Sequence, residues 1–208
     1  MSHDGRNNYF TFFSLPHKLV LNTAALEKSF YALSRRLHPD RFAAKPGAEQ
    51  EAALRESSLL NDAYRTLKDP IARTEYLLKL EGVELEEQSK AATEAARTSG
   101  TAKKQIVPPD LLEEAFELNM QLEEMRAAKK MGEDDPQLRK DLLAAKAGFD
   151  AKMAETRREL EALWANWDAG VDAGDALAKA RARDAMVALL NRRSYLRNLV
   201  RDVNDALA

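Results

Sequence analysis

Between Thr23 and Leu37 the apolar residues Leu26, Phe30, Leu33 and Leu37 recur at spacings of four, three and four. That spacing lays them along one face of a helix, with Thr23 placed to cap it. Pro39 ends this helix, and a loop holding Pro46 and Gly47 follows. Ala53, Leu60, Ala63, Tyr64 and Leu67 then mark a second amphipathic helix running to LKDP, and the two helices are predicted to be antiparallel neighbours. Pro70 stands where a first helical position tolerates proline, so IARTEYLLKLEG reads as a short helix closed by Gly82.

The apolar rhythm then stops. Residues 83–108 carry Ala, Ser, Thr, Gly and charge without a sustained stripe, ending in Pro108 and Pro109, and read as a linker. Beyond it three long helices are expected, broken near KKMGEDDP and DAGVDAGD, where Gly and Asp supply turn chemistry. Leu142, Phe149 and Leu163 keep a seven-residue spacing or its multiple, as do Leu189, Leu196 and Val203, and short breaks between long helices predict an up-down-up bundle. No strand period is present. The expectation is an all-α chain of two domains, residues 8–82 and 109–208, joined by the linker.

The helix that opens near Pro109 carries two apolar stripes. Leu111, Ala115, Leu118, Leu122 and Met125 form a conventional core face. Leu112, Phe116 and Met120, spaced by four, lie around the helix from it and are bordered by Glu113, Glu117 and Glu124. The readings that stand are that a third helix covers this second stripe, that Phe116 fills a gap at the junction with the first domain, or that the stripe is exposed as an apolar strip with an acidic rim, the pattern of a partner-binding patch. Trp164 and Trp167, three residues apart near a helix end, read as core or junction packing.

Composition narrows the chemistry. The chain has no cysteine, which excludes disulfides, thiolate metal sites, cysteine nucleophiles and an iron-sulfur cluster held on its own thiolates. Basic and acidic residues number 32 and 34, so no global field favours nucleic acid or an anionic membrane. The polar side of RARDAMVALLNRRSYLRNLVR is basic but lacks the interleaved aromatics of an RNA-binding surface. The first ten residues carry neither a secretory nor a transit signal and no run of apolar residues spans a bilayer, so a bacterial-type cytoplasmic protein is expected. With only His3, His17 and His38 available, and no nucleophile set beside any of them by sequence, an enzyme is not expected.

His38-Pro39-Asp40 is the most pointed local feature. As plain structure, a His suits a helix C-terminus, Pro stops the helix and Asp favours the turn. Against that stands the setting: Lys28 and Arg35, a heptad apart, lie opposite the apolar face and lead a cationic stripe into the turn. A rigid turn of this kind can offer Asp40 to an arginine of a partner.

The helix, His-Pro-Asp loop and antiparallel helix resemble a J-domain, through which DnaJ-type co-chaperones engage DnaK-type chaperones. NYFTFFSLP, LHPDRF, LNDAYRTLKDP and ARTEYLLKLEG together resemble the HscB family of iron-sulfur co-chaperones, over residues 8–82 most closely. The resemblance implies a J-domain built as an antiparallel helical hairpin with flanking short helices, followed by a C-terminal three-helix bundle. It implies stimulation of the ATPase of an HscA/DnaK-type chaperone through His38, Pro39, Asp40, Lys28, Arg35 and Arg36. It also implies docking of an IscU-like cluster scaffold on Leu112, Phe116, Glu117, Met120, Glu124 and Tyr195. No cofactor, metal, nucleic acid or membrane partner is implied. The sequence departs from the pattern in four places: Tyr31 and Ala32 stand where many general J-domains are basic, the linker is longer than in bacterial family members, Met120 stands where the family often has an acid, and the cysteine-rich metal motif of some relatives is missing. A general J-domain protein with another client and a non-catalytic helical adaptor remain the alternatives.

Overall fold

The computed structural model of the protein describes residues 8–83, 85 and 107–208. The expected linker falls almost wholly outside the described residues. Among them every regular element is helical: α1 (Tyr9–Phe12), α2 (Thr23–Leu37), α3 (Gly47–Lys68), α4 (Pro70–Leu80), α5 (Leu112–Met131), α6 (Pro136–Ala173) and α7 (Ala176–Leu207), with 3-10 turns at Pro39–Phe42 and Pro109–Leu111. No helix among the described residues is long and apolar enough to cross a membrane.

The chain divides into two compact units. The first comprises Met1–Glu84 and Glu161–Asp184; the second comprises Leu85–Leu160 and Ala185–Ala208. The far end of α6 and the near end of α7 thus belong to the first unit, an assignment to which the apolar spacing gave no clue.

In the first unit, α1 is held by a capping box in which the Asn8 side chain accepts from Phe10 and Thr11 amides and the Thr11 hydroxyl serves the Asn8 amide. The Tyr9 ring stacks on Tyr76 of α4 at 4.4 Å, and the Tyr9 amide donates to the Tyr76 hydroxyl at 3.0 Å. Helices α2 and α3 are neighbours, as the apolar faces require. Their seam is pinned by Phe30 stacked on Tyr64 at 4.1 Å, and the Tyr64 hydroxyl donates to Glu27 at 3.0 Å. Lys68 donates to the Tyr64 oxygen at 2.9 Å and pairs with Glu27 at 3.3 Å. Chiefly through the Tyr64 bond, and then through Lys68, the Glu27 carboxyl is held below its ordinary range. The α2 cap corrects the sequence expectation: Asn22, not Thr23, accepts from the Ala25 amide, and Thr23 is the first helical residue. Asn is an equally good cap one position earlier.

The ends of α6 and α7 complete this unit. Trp167 is fully buried, its indole N–H donating to the His17 carbonyl at 3.4 Å, with the Lys179 ammonium 4.7 Å over its ring. Trp164 donates to the Thr74 hydroxyl at 3.1 Å and lies beneath the buried Arg73 guanidinium, 4.6 Å away. Arg73 also donates to the Leu67 carbonyl at 2.6 Å. Burial lowers the pKa of Arg73, against the pull of Asp69, Glu161 and Asp168. The buried Asp168 carboxylate accepts from the Leu19 amide at 2.8 Å and the Val20 amide at 3.0 Å. A carboxylate buried against two amides caps a strap that has no secondary structure of its own to satisfy it.

The second unit is a helical bundle around Leu111, Ala115, Leu118, Leu122 and Met125 of the α5 segment, Leu138, Leu142 and Phe149 of α6, and Tyr195, Leu196, Leu199 and Val203 of α7. Its breaks follow the expected turn chemistry. Gly132 adopts a left-handed φ of 75° after α5, letting the Glu133 amide bond back to the Ala128 carbonyl at 3.0 Å. Asp135 caps α6 through the Gln137 and Leu138 amides.

Candidate partner-binding surfaces

Helix α2 ends where the residue before proline is driven out of the helical region, and His38 takes φ −61° and ψ 127°. The following 3-10 turn has Pro39 at its first position and His38 as its cap: the imidazole Nδ1 accepts from the Asp40 amide at 3.3 Å. One Asp40 carboxylate oxygen lies 3.4 Å from the same nitrogen, yet the Asp40 side chain is 88% exposed. The turn is braced from behind. Arg41 donates to the Arg35 carbonyl at 3.3 Å, and Gln50, in the first turn of α3, donates to the carbonyls of Ala43 at 3.2 Å and Lys45 at 2.8 Å. The Arg41 bond satisfies one of the α2 C-terminal carbonyls that a helix end leaves open. Asp40 is therefore held on a fixed backbone with its charge facing water.

Lys28, Arg35 and Arg36 are all exposed on α2. Lys28 and Arg35 lie within about 20° of one another around the axis at 100° per residue, and Arg36 is turned by about 80° from Lys28. Glu27, the nearest acid on this helix, is engaged by Tyr64 and Lys68 and so does little to neutralise the stripe. Arg35 and Arg36 lie in the last turn of α2, directly before His38-Pro39-Asp40, and Lys28 shares a helix face with Arg35.

On the bundle, the two α5 stripes separate as their spacing divides them. Leu111, Ala115, Leu118, Leu122 and Met125 are buried, while Leu112, Phe116 and Met120 are 60%, 68% and 61% exposed. No helix among the described residues covers the second stripe, so the reading in which a third helix hides it is set aside. Going around α5 from Leu112, Phe116 lies at about 40° and Met120 at about 80°, with Glu113, Glu124 and Glu117 at about 100° to 140°. All three acids are exposed, so the apolar strip has an acidic flank.

The start of α5 is fixed by polar contacts within the bundle. Arg192 of α7 donates to Asp110 at 3.0 Å and to the Thr156 hydroxyl at 2.7 Å, and Lys152 of α6 donates to Glu114 at 2.8 Å. Thr156 in turn donates to the Lys152 carbonyl at 2.8 Å. These bonds fasten to α6 and α7 the turn from which Leu112 and Phe116 project.

Tyr195 is a correction. Expected on the same surface, it is 8% exposed and packs in the bundle core with Leu196 and Leu199. On α7 it stands four residues before Leu199, which places it on the inward face. Burial accordingly raises its hydroxyl pKa, with Asp202 adding to the effect. The basic side of α7 is also less available to phosphate than its sequence implies, because Arg183, Arg192 and Arg201 are paired with Asp184, Asp110 and Asp202. Among the described residues no cluster of three or more His, Asp and Glu side chains is placed to hold a metal.

No protein-family model matches the sequence. Among solved structures, the chaperone HscB from Vibrio cholerae is similar at 27% identity and a TM-score of 0.52, over 97% of this chain and all of that one. The human co-chaperone protein HscB is similar in fold at 22% identity and a TM-score of 0.60, over 98% of this chain and 84% of that one. With a helical hairpin that ends at His38-Pro39-Asp40 in one unit and a helical bundle in the other, this chain is similar along nearly its whole length to a bacterial HscB.

Proposed function

We propose that this protein is a co-chaperone for iron-sulfur cluster assembly: its J-domain stimulates ATP hydrolysis by an HscA/DnaK-type chaperone while its bundle delivers an IscU-like scaffold. The observation that carries the reading is the presence of two separate exposed surfaces on one chain. One is the cationic α2 face ending at an exposed Asp40; the other is the apolar strip of Leu112, Phe116 and Met120 with its acidic flank. The first suits an acidic chaperone surface that also holds an arginine for Asp40, and the second suits a client with an apolar patch and basic rim.

The mechanism is a coupling of binding energies, with no bond made or broken on this chain. Contacts at His38, Pro39 and Asp40 favour the hydrolysis-competent state of the chaperone only if they are stronger in that state than in the other. Holding the client on the same chain raises its effective concentration at the chaperone's peptide site.

Steady-state ATPase of an HscA-type chaperone, with and without the scaffold, tests this. Wild-type protein and scaffold are expected to stimulate synergistically, and Asp40→Asn, which removes the charge but keeps the turn, to lower the stimulation about tenfold. Tenfold corresponds to about 1.4 kcal/mol, within the range for losing a charge-assisted bond. Stimulation indifferent to the scaffold would leave a general J-domain protein with another client. An Asp40→Asn variant as active as wild type would discard the chaperone contact altogether.

A further inference from the structure

We propose that Tyr31 is a specificity-determining anchor of the cationic α2 face, selecting a chaperone whose acidic docking surface also offers a slot for an aromatic ring. This rests on the chaperone contact proposed above and names what that contact recognises beyond charge. Tyr31 is turned about 60° from Lys28 and about 40° from Arg35, which puts the ring along the edge of the basic stripe, on the Arg35 side and away from Arg36. It is 56% exposed, and its hydroxyl has no hydrogen bond among the described residues.

A lone exposed aromatic is ordinary; this one is prepared. The Tyr31 ring meets Phe30 edge-on at 5.4 Å, Phe30 stacks on Tyr64 at 4.1 Å, and Tyr64 is fastened by Glu27 and Lys68. A ring braced through the α2–α3 seam loses little rotamer freedom on binding, the property that makes Tyr an effective contact residue. Arg35 Nε donates to the Tyr31 carbonyl at 3.3 Å, so the guanidinium is drawn back along the turn that carries the ring. Tyr and Arg side by side in a polar surround is the composition of an interface hot spot.

The physical contrast with a basic residue at this position decides the role. A lysine would add long-range attraction to any acidic partner, raising the association rate and the salt dependence without choosing among partners. A ring contributes only where the partner supplies a matching slot, so it discriminates.

The test titrates the full-length protein against an HscA-type chaperone and a general DnaK-type chaperone, reading the concentration for half-maximal ATPase stimulation. With the HscA-type chaperone, Tyr31→Ala is expected to raise that concentration about tenfold, leaving maximal stimulation intact, as for a moderate hot spot. Tyr31→Phe should stay within about twofold of wild type, since the ring carries the contact. Tyr31→Lys should weaken the HscA-type response, narrow the gap between the two chaperones and steepen the loss of activity with salt. All three should melt with wild type, because the side chain is exposed. Tyr31→Ala within twofold of wild type, while Asp40→Asn still loses stimulation, overturns the assignment and spares the proposed function. If Asp40→Asn is also silent, the chaperone contact fails and Tyr31 falls with it.

Discussion

Trp167→Ala is expected to lower the unfolding free energy of the first unit by about 3 to 5 kcal/mol, the cost of truncating a fully buried large aromatic. The indole fills the space under the 17–20 strap, and its N–H bond to His17 and the Lys179 ammonium over its face are lost with it. Little in the surroundings can collapse into the void, because Asp168 next to it is committed to the Leu19 and Val20 amides. Asp168→Ala is the companion variant. It removes no large volume but leaves those two amides without an acceptor, at about 1 to 3 kcal/mol for each that stays buried. Asp168→Asn should fall between, since an amide side chain offers one acceptor where the carboxylate offers two.

The readout is selective, because the chain has two tryptophans and both lie in the first unit. Denaturant unfolding followed by the fluorescence of the remaining Trp164 should show a midpoint shifted well below wild type. An unshifted midpoint would mean that the ends of α6 and α7 contribute nothing to that unit. The same contacts bear on where the first domain ends. A chain cut after residue 82 loses Trp164, Trp167 and Asp168 together, so it should be far less stable than the unit within the whole protein.

That boundary shows what was legible in the sequence. The division of α5 into two apolar stripes was readable residue by residue from helical periodicity, whereas the exposure of Leu112, Phe116 and Met120 needed the packing of the neighbouring helices. The His-Pro-Asp turn was readable too, as its backbone is dictated by the proline and its neighbours. Asp168 was not: a carboxylate four residues after a tryptophan looks like any solvated helix acid, and nothing local says that it meets amides 149 and 148 positions away. Tyr195 failed differently. Its place on the docking surface came from family resemblance, whereas the structure packs it in the core with Leu196 and Leu199. Seven-residue spacing was likewise a partial guide, since Thr156 occupies the position between Phe149 and Leu163 as a buried polar residue satisfied by Lys152 and Arg192.

The separation of the α5 faces gives the other large prediction, a pair of truncations two residues apart with opposite signatures. Leu118→Ala should cost the bundle about 2 to 5 kcal/mol, because Leu118 is fully buried among well-packed side chains of α6 and α7. Phe116→Ala removes more atoms, yet the side chain is 68% exposed, so stability should change by no more than about 0.5 kcal/mol. Its effect should appear in binding instead. As the largest group on the strip, held on a turn locked by Asp110, Glu114, Lys152 and Arg192, Phe116 should carry about 2 kcal/mol of scaffold affinity, roughly thirtyfold. Calorimetric binding to the scaffold, set beside thermal unfolding followed by circular dichroism, separates the two effects. A Phe116→Ala protein that melts early would place the ring in a core, and one that binds the scaffold with full affinity would move the docking surface off α5. Leu118→Ala that melts with wild type would mean that the inward stripe does not hold the bundle together.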